Sequence, residues 1–171
     1  VTQTKNFLGI PVEGDISKGD KRVPQRPLSE LEPLIRAVLD DPTMKAFGWT
    51  QYTPYFNDGD PCVFSVGTSW FLTVEDPDLD DVEDTDTYEV DYGEHPTLGK
   101  RDYEYHGSWP DRQRVDLGYT GPDEARYDRV RALSAAINGG AFEDVLLEAF
   151  GDHASVRVTA QGITVDTYEH D

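Results

Sequence analysis

The sequence predicts a single α+β domain spanning residues 1–171, with a largely antiparallel sheet and about three helices packed on it. Three observations lead there. Apolar residues recur at helical spacing over 28–39 and again from 123 to 150, period-two alternation marks the C-terminus, and strands and helices do not alternate regularly along the chain.

Residues 1–27 hold scattered Gly and Pro with no sustained period, and read as an arm or loop. The first helix signal is Leu28-Ser29-Glu30, where Ser29 is placed to cap and Leu31, Leu34, Ile35, Val38 and Leu39 form a stripe. Pro33 is expected in its first turn, and Asp40-Asp41-Pro42 ends it. From Phe47 to Phe56 aromatic and polar residues alternate, Asn57 to Asp60 supplies turn chemistry, and apolar alternation resumes over 62–66, a strand–turn–strand pattern. Trp70 to Val74 reads as a third, well-buried strand.

Glu75 to Glu94 is an acidic insert, with eleven acids in twenty residues and no Lys or Arg. Residues 95–120 mix Gly, Pro and aromatics and predict only short strand or loop. Gly121-Pro122-Asp123-Glu124 opens a helix whose buried face is Val130, Leu133 and Ile137, and Asn138-Gly139-Gly140 stops it. Phe142, Leu146, Leu147 and Phe150 define another helix, ended by Gly151. Over 153–168, Val156, Val158 and Ala160 alternate with Ser155, Arg157 and Thr159 before Gln161-Gly162, and Ile163 and Val165 follow, which is a β-hairpin.

Composition bounds the function. With 34 Asp plus Glu against 15 Lys plus Arg, the formal net charge is −19. Direct binding to nucleic acid or anionic lipid needs clustered cations and is disfavoured, whereas a basic protein partner is attracted. Solubility alone is the plain alternative. No run is long and apolar enough for a membrane span, the first residues lack the order of a signal peptide, and one cysteine, Cys62, cannot form an internal disulfide. A cytoplasmic setting is therefore expected, with Cys62 as a small buried hydrophobe. The oligomeric state is left open.

Candidate sites are few. Asp76, Asp78 and Asp80 match the first positions of a calcium loop, but Asp81 stands where glycine is needed and Thr87 where a bidentate Glu is needed. If residues 76–86 are extended, these acids project from one side at a repeat of about 6.6 Å and imitate a phosphate backbone. The partner-binding set is then Asp76, Asp78, Asp80, Asp81, Glu83, Asp84 and Asp86, with Tyr88 and Tyr92 as aromatic anchors. A solvated loop is the plainer reading. The competing site is the block holding Trp49, Gln51, Tyr52, Tyr55, Asn57, Asp58 and Asp60, with His153 as a further polar group; it suits a small-molecule binder or hydrolytic enzyme, or else simply an aromatic core hairpin. The four histidines show no metal-ligand spacing, no phosphate-binding or nucleophile-elbow motif occurs, and neither metal nor cofactor is expected.

The block Phe47-Gly-Trp-Thr-Gln-Tyr-Thr-Pro-Tyr-Phe-Asn-Asp-Gly-Asp-Pro-Cys62, with Phe150-Gly-Asp-His153 and Tyr168-Glu-His-Asp171, resembles small acidic proteins of tailed bacteriophages. That resemblance implies a bacterial host cytoplasm and transfers no catalytic residue. Taken with the charge, it leads to the expectation of a non-catalytic acidic interaction protein that binds a basic host or phage protein, possible DNA mimicry being its concrete form.

Overall fold

A strand with bulky residues on one face needs that face covered, and the sequence supplies two covers, helices on one side and an indole on the other. In the computed structural model, which describes residues 5–8, 10–12, 22–78 and 85–170, the centre is β3 (Met44–Tyr52). It pairs antiparallel with β8 (Ala154–Thr159) on one edge. On its other edge lie β5 (Trp70–Thr73) and, further along, the short β4 (Ser65–Val66). The strand β9 (Gly162–Thr167) closes the sheet outside β8 and is exposed along its whole length. A short hairpin of β1 (Lys5–Phe7) and β2 (Ile10–Val12) stands apart within the predicted arm.

Register decides the two faces. Phe47 pairs with Val158 and with Phe71, and Trp49 with Val156, so these side chains share the face on which α1 (Leu28–Leu39), α2 (Glu124–Asn138) and α3 (Glu143–Phe150) bury Leu31, Val38, Val130, Leu133, Ile137 and Leu146. Fully burying each such side chain contributes roughly 1.5–3 kcal/mol. On the opposite face Ala46, Trp70 and Leu72 form a smaller cluster, with Tyr88 packed against it. Gly48 makes this possible: a Cβ there would sit 2.2 Å from the Val156 carbonyl oxygen and 2.4 Å from the Trp70 ring.

The α+β class and the largely antiparallel sheet are as the sequence predicts, but several details differ. Pro27 rather than Ser29 occupies the N-cap of α1 and offers no side-chain cap, while Arg26 bonds Glu30 instead. The helix therefore starts earlier and Pro33 falls beyond its first turn. Asp123 is the N-cap of α2, accepting from Arg126 N at 3.0 Å, so Pro122 stands outside the helix. Residues 53–64 form a loop rather than continuing two regular strands, and Cys62 on it is exposed, not buried. Residues 100–120, expected only as short strand or loop, form a long hairpin of β6 (Lys100–His106) and β7 (Gln113–Thr120) separate from the main sheet.

Gly48→Ala is expected to destabilise the protein by about 3 kcal/mol, because its neighbours are backbone and a packed ring that have no room to yield. Urea unfolding of the variant beside the native protein measures this directly.

Candidate functional site

The acidic segment begins where β5 ends. There Asp76, expected to present charge outward, turns inward and is only 5% exposed. Its Oδ2 accepts from Thr73 N at 2.7 Å, Thr73 Oγ1 at 3.0 Å and Thr97 Oγ1 at 2.8 Å. A carboxylate so placed closes the turn after β5 and cannot belong to a projecting row, which corrects the expectation for Asp76. Lys45 reaches across, donating to the Asp76 carbonyl and to Asp78, whose carboxylate is exposed. Asp80, Asp81, Glu83 and Asp84 lie outside the described residues. The chain resumes as a 3-10 turn, Thr85–Tyr88, with Asp86 exposed.

From there the segment is tied back to the body. Tyr88 is half-buried against the Trp70 cluster, Glu89 bridges to Trp70, and Val90 enters the main core. Asp91 is engaged by Arg131, Ser134 Oγ and Asn138 Nδ2 on α2. Tyr92 is 79% exposed. Of the aromatic anchors expected in this stretch, Tyr92 is accessible and Tyr88 faces inward.

Behind Asp76 stands His95, almost fully buried. Its Nδ1 accepts from Thr97 N at 3.2 Å and Leu98 N at 3.1 Å, so the proton sits on Nε2 and is donated to the Phe71 carbonyl at 2.8 Å. Burial pushes the imidazole below its ordinary value, against the pull of the Phe71 bond and the nearby Asp76 charge. Arg126 completes this node, donating to Thr43 Oγ1 at 3.0 Å and to the Thr97 carbonyl at 3.2 Å. Nothing in the sequence around His95 distinguishes it from a surface histidine.

The competing block divides. Trp49 and Gln51 lie in the core: Trp49 Nε1 donates to Gln51 Oε1 at 2.9 Å, and Gln51 Nε2 donates to the carbonyls of Leu146 and Gly151, at 3.0 and 2.6 Å. Neither can touch a ligand; Gln51 ties β3 to the middle of α3 and to its C-cap. Asn57, Asp58 and Asp60 stand exposed on the 53–64 loop. Tyr52 and Tyr55 instead join the C-terminus, where Tyr55 stacks on His153 (4.9 Å between centroids) and on His170 (4.6 Å), and Tyr52 meets His170 at 3.9 Å. His153 Nδ1 and His170 Nε2 are 3.0 Å apart, so one ring donates to the other.

Asp152 positions this cluster. Its Oδ1 accepts from Thr53 N and His153 N, both at 2.8 Å, which holds His153 at φ +53. Burial raises the Asp152 carboxyl, but the bonds from Thr53 and His153 outweigh it and leave the group below the ordinary carboxylate range. Rings, imidazoles and a carboxylate converge here. No group of three or more metal-ligating side chains occurs among the described residues. An open groove of about 960 Å³ lies elsewhere, bordered by Asp91, Tyr92, Lys100, Arg101, Tyr103 and Arg131.

Comparison of the chain with family models, with curated proteins and with solved structures finds no match.

His95 sets a pH dependence. Its folded value lies below the ordinary 6.5, so the unfolded chain binds the proton more tightly, and its contribution to stability is complete above 6.5 and lost as pH falls towards the folded value. Unfolding free energy measured down this range is expected to decline more steeply in the native protein than in His95→Gln, which starts lower but lacks this slope. Parallel slopes would contradict a buried neutral imidazole.

Proposed function

We propose that the chain is a non-catalytic interaction protein, phage-encoded and acting in the host cytoplasm, whose acidic segment engages a basic host or phage protein. Imitation of a DNA phosphate backbone is the concrete form of this reading. One observation carries it: the segment is anchored at both ends by inward-facing residues, Asp76 on one side and Tyr88 with Val90 on the other, while Asp78 and Asp86 just inside those anchors are exposed. Fixed ends hold Asp78 and Asp86 in place, which reduces the ordering entropy these two lose on binding.

In this reading Asp78, Asp80, Asp81, Glu83, Asp84 and Asp86 supply the charge that attracts cations and speeds encounter, and Tyr92 supplies an exposed ring. Asp76 holds the turn and is left out of the contact set. With the segment's eleven acids removed the remainder is still near −8, so the whole body repels DNA and favours a cationic surface.

The test replaces these six acids together by Asn or Gln and uses native and variant proteins as bait in a bacterial lysate, at low and high salt. Native protein is expected to capture a basic protein in a salt-sensitive manner, with capture by the variant at least about tenfold weaker and its thermal unfolding unchanged. Duplex DNA should then displace the captured protein. Equal capture by the variant would sink the charge-based reading; capture that DNA does not disturb would remove mimicry alone.

A further inference from the structure

Charge is unevenly distributed on this molecule. Residues 100–120 contain Lys100, Arg101, Arg112 and Arg114 against Asp102, Glu104, Asp111 and Asp116, so the β6–β7 hairpin is formally neutral and the other 150 residues carry the whole −19. The same hairpin exposes Trp109 (88%), Tyr105 (47%) and Tyr103 (44%), with Leu117 beside them. Trp, Tyr and Arg are the residue types that dominate binding energy at protein interfaces.

The hairpin meets the body at its base, where Arg101 pairs with Glu124 and Asp128 and also reaches Asp116 at 3.3 Å, Lys100 pairs with Glu94, and Tyr119 donates to the Leu98 carbonyl and packs on Tyr127. Further out the side chains engage one another. Arg114 lies 3.7 Å over the Tyr103 ring, Arg112 lies 4.0 Å over Tyr105, and the two tyrosines meet edge to face. Neither arginine forms an ion pair among the described residues. Nor does any described strand pair with the outer edge of β6 or β7. A two-stranded hairpin is marginal in water, and unpaired edges of this length are templates for a further strand.

We propose that this hairpin forms a homodimer, with β7 pairing antiparallel to β7 of a second copy about a two-fold axis at Val115. Its charges are self-complementary about that point. Arg114 and Asp116 flank Val115, so the two-fold sets Arg114 opposite Asp116 of the second copy, twice over, on the face that also carries Tyr105 and Tyr103, their partners across the hairpin. The irregularity at Leu117, with Gly118 at φ +102, bounds the paired stretch on one side.

Charge also selects the occupant. An acidic protein that must approach through its own charged surface is repelled by the body, and a basic one gains nothing at a neutral hairpin that the rest of the surface does not offer. Two copies meeting at their neutral arms hold the −19 bodies apart, and physiological salt screens what remains over about 8 Å. The resulting four-stranded sheet covers one edge of each hairpin and brings the exposed rings together. This contact is separate from the acidic segment and independent of it.

Sedimentation velocity over a concentration series at physiological ionic strength tests the proposal with native protein, Arg114→Asp, Asp116→Arg and an equimolar mixture of the two variants. The native chain is expected to shift from one to two copies with concentration, and each single variant to associate at least about tenfold more weakly, because like charges then face each other at both contacts. The mixture should regain association, since in a mixed pair both contacts become opposite-charged. That recovery separates contact between copies from any role of these residues within one chain. A native protein that stays a single chain throughout would overturn the proposal. So would single variants that associate as the native does, through the β9 edge for example, or a mixture no stronger than its components.

Discussion

Much of the structure hangs on one buried polar node, the Asp76 carboxylate with Thr73, Thr97, His95 and Arg126 around it. Each hydrogen bond contributes about 1 kcal/mol net, but a buried group left without its partner costs about 1–3 kcal/mol. The node is therefore favourable only when complete. Through it the end of β5, the turn at 95–99 that leads into β6, and the first turn of α2 are held together, although these three lie more than fifteen residues apart in sequence.

Two excursions leave this node and carry opposite electrostatic character. The acidic stretch is tied to the body at Asp76 and again at Val90, while from Gly99 to Thr120 the chain projects a neutral hairpin faced with tyrosine and arginine. The sheet and helices behind them form an acidic platform, and the difference between the excursions lies in side chains. Charge complementarity governs partner choice and encounter rate more than raw affinity, so a single anionic body can keep one site for cations and another that its own charge does not oppose.

The fold was legible where burial imposes a period. Val156 and Val158 alternate because one face of β8 meets the helices, and Val130, Leu133 and Ile137 repeat at helical spacing because one stripe of α2 meets the sheet. The β6–β7 hairpin was not legible, for the same reason reversed: exposed on both faces over most of its length, Lys-Arg-Asp-Tyr-Glu-Tyr-His needs no apolar alternation. Alternation also hid the difference between a lined pocket and a filled core, so Trp49 and Gln51 fit a site as well as the plainer core hairpin that they form. In a stretch with eleven acids nothing marked Asp76 as an acid that turns inward, except the Thr73 three residues before it. The meeting of Tyr55 with His153 and His170 depends on β3 and β8 pairing across a long sequence interval, which local patterns do not encode.

The most direct measurement of the node is hydrogen exchange of backbone amides over residues 73–98 in Asp76→Ala beside the native protein. If the inward carboxylate holds both excursions, the Thr73, Thr97 and Leu98 amides lose protection in the variant while Phe47 to Gln51 in the central strand keep theirs. Unchanged protection at Thr73 and Leu98 would mean that the acidic segment and the hairpin base are held by packing alone, and that Asp76 is one more acid among the others.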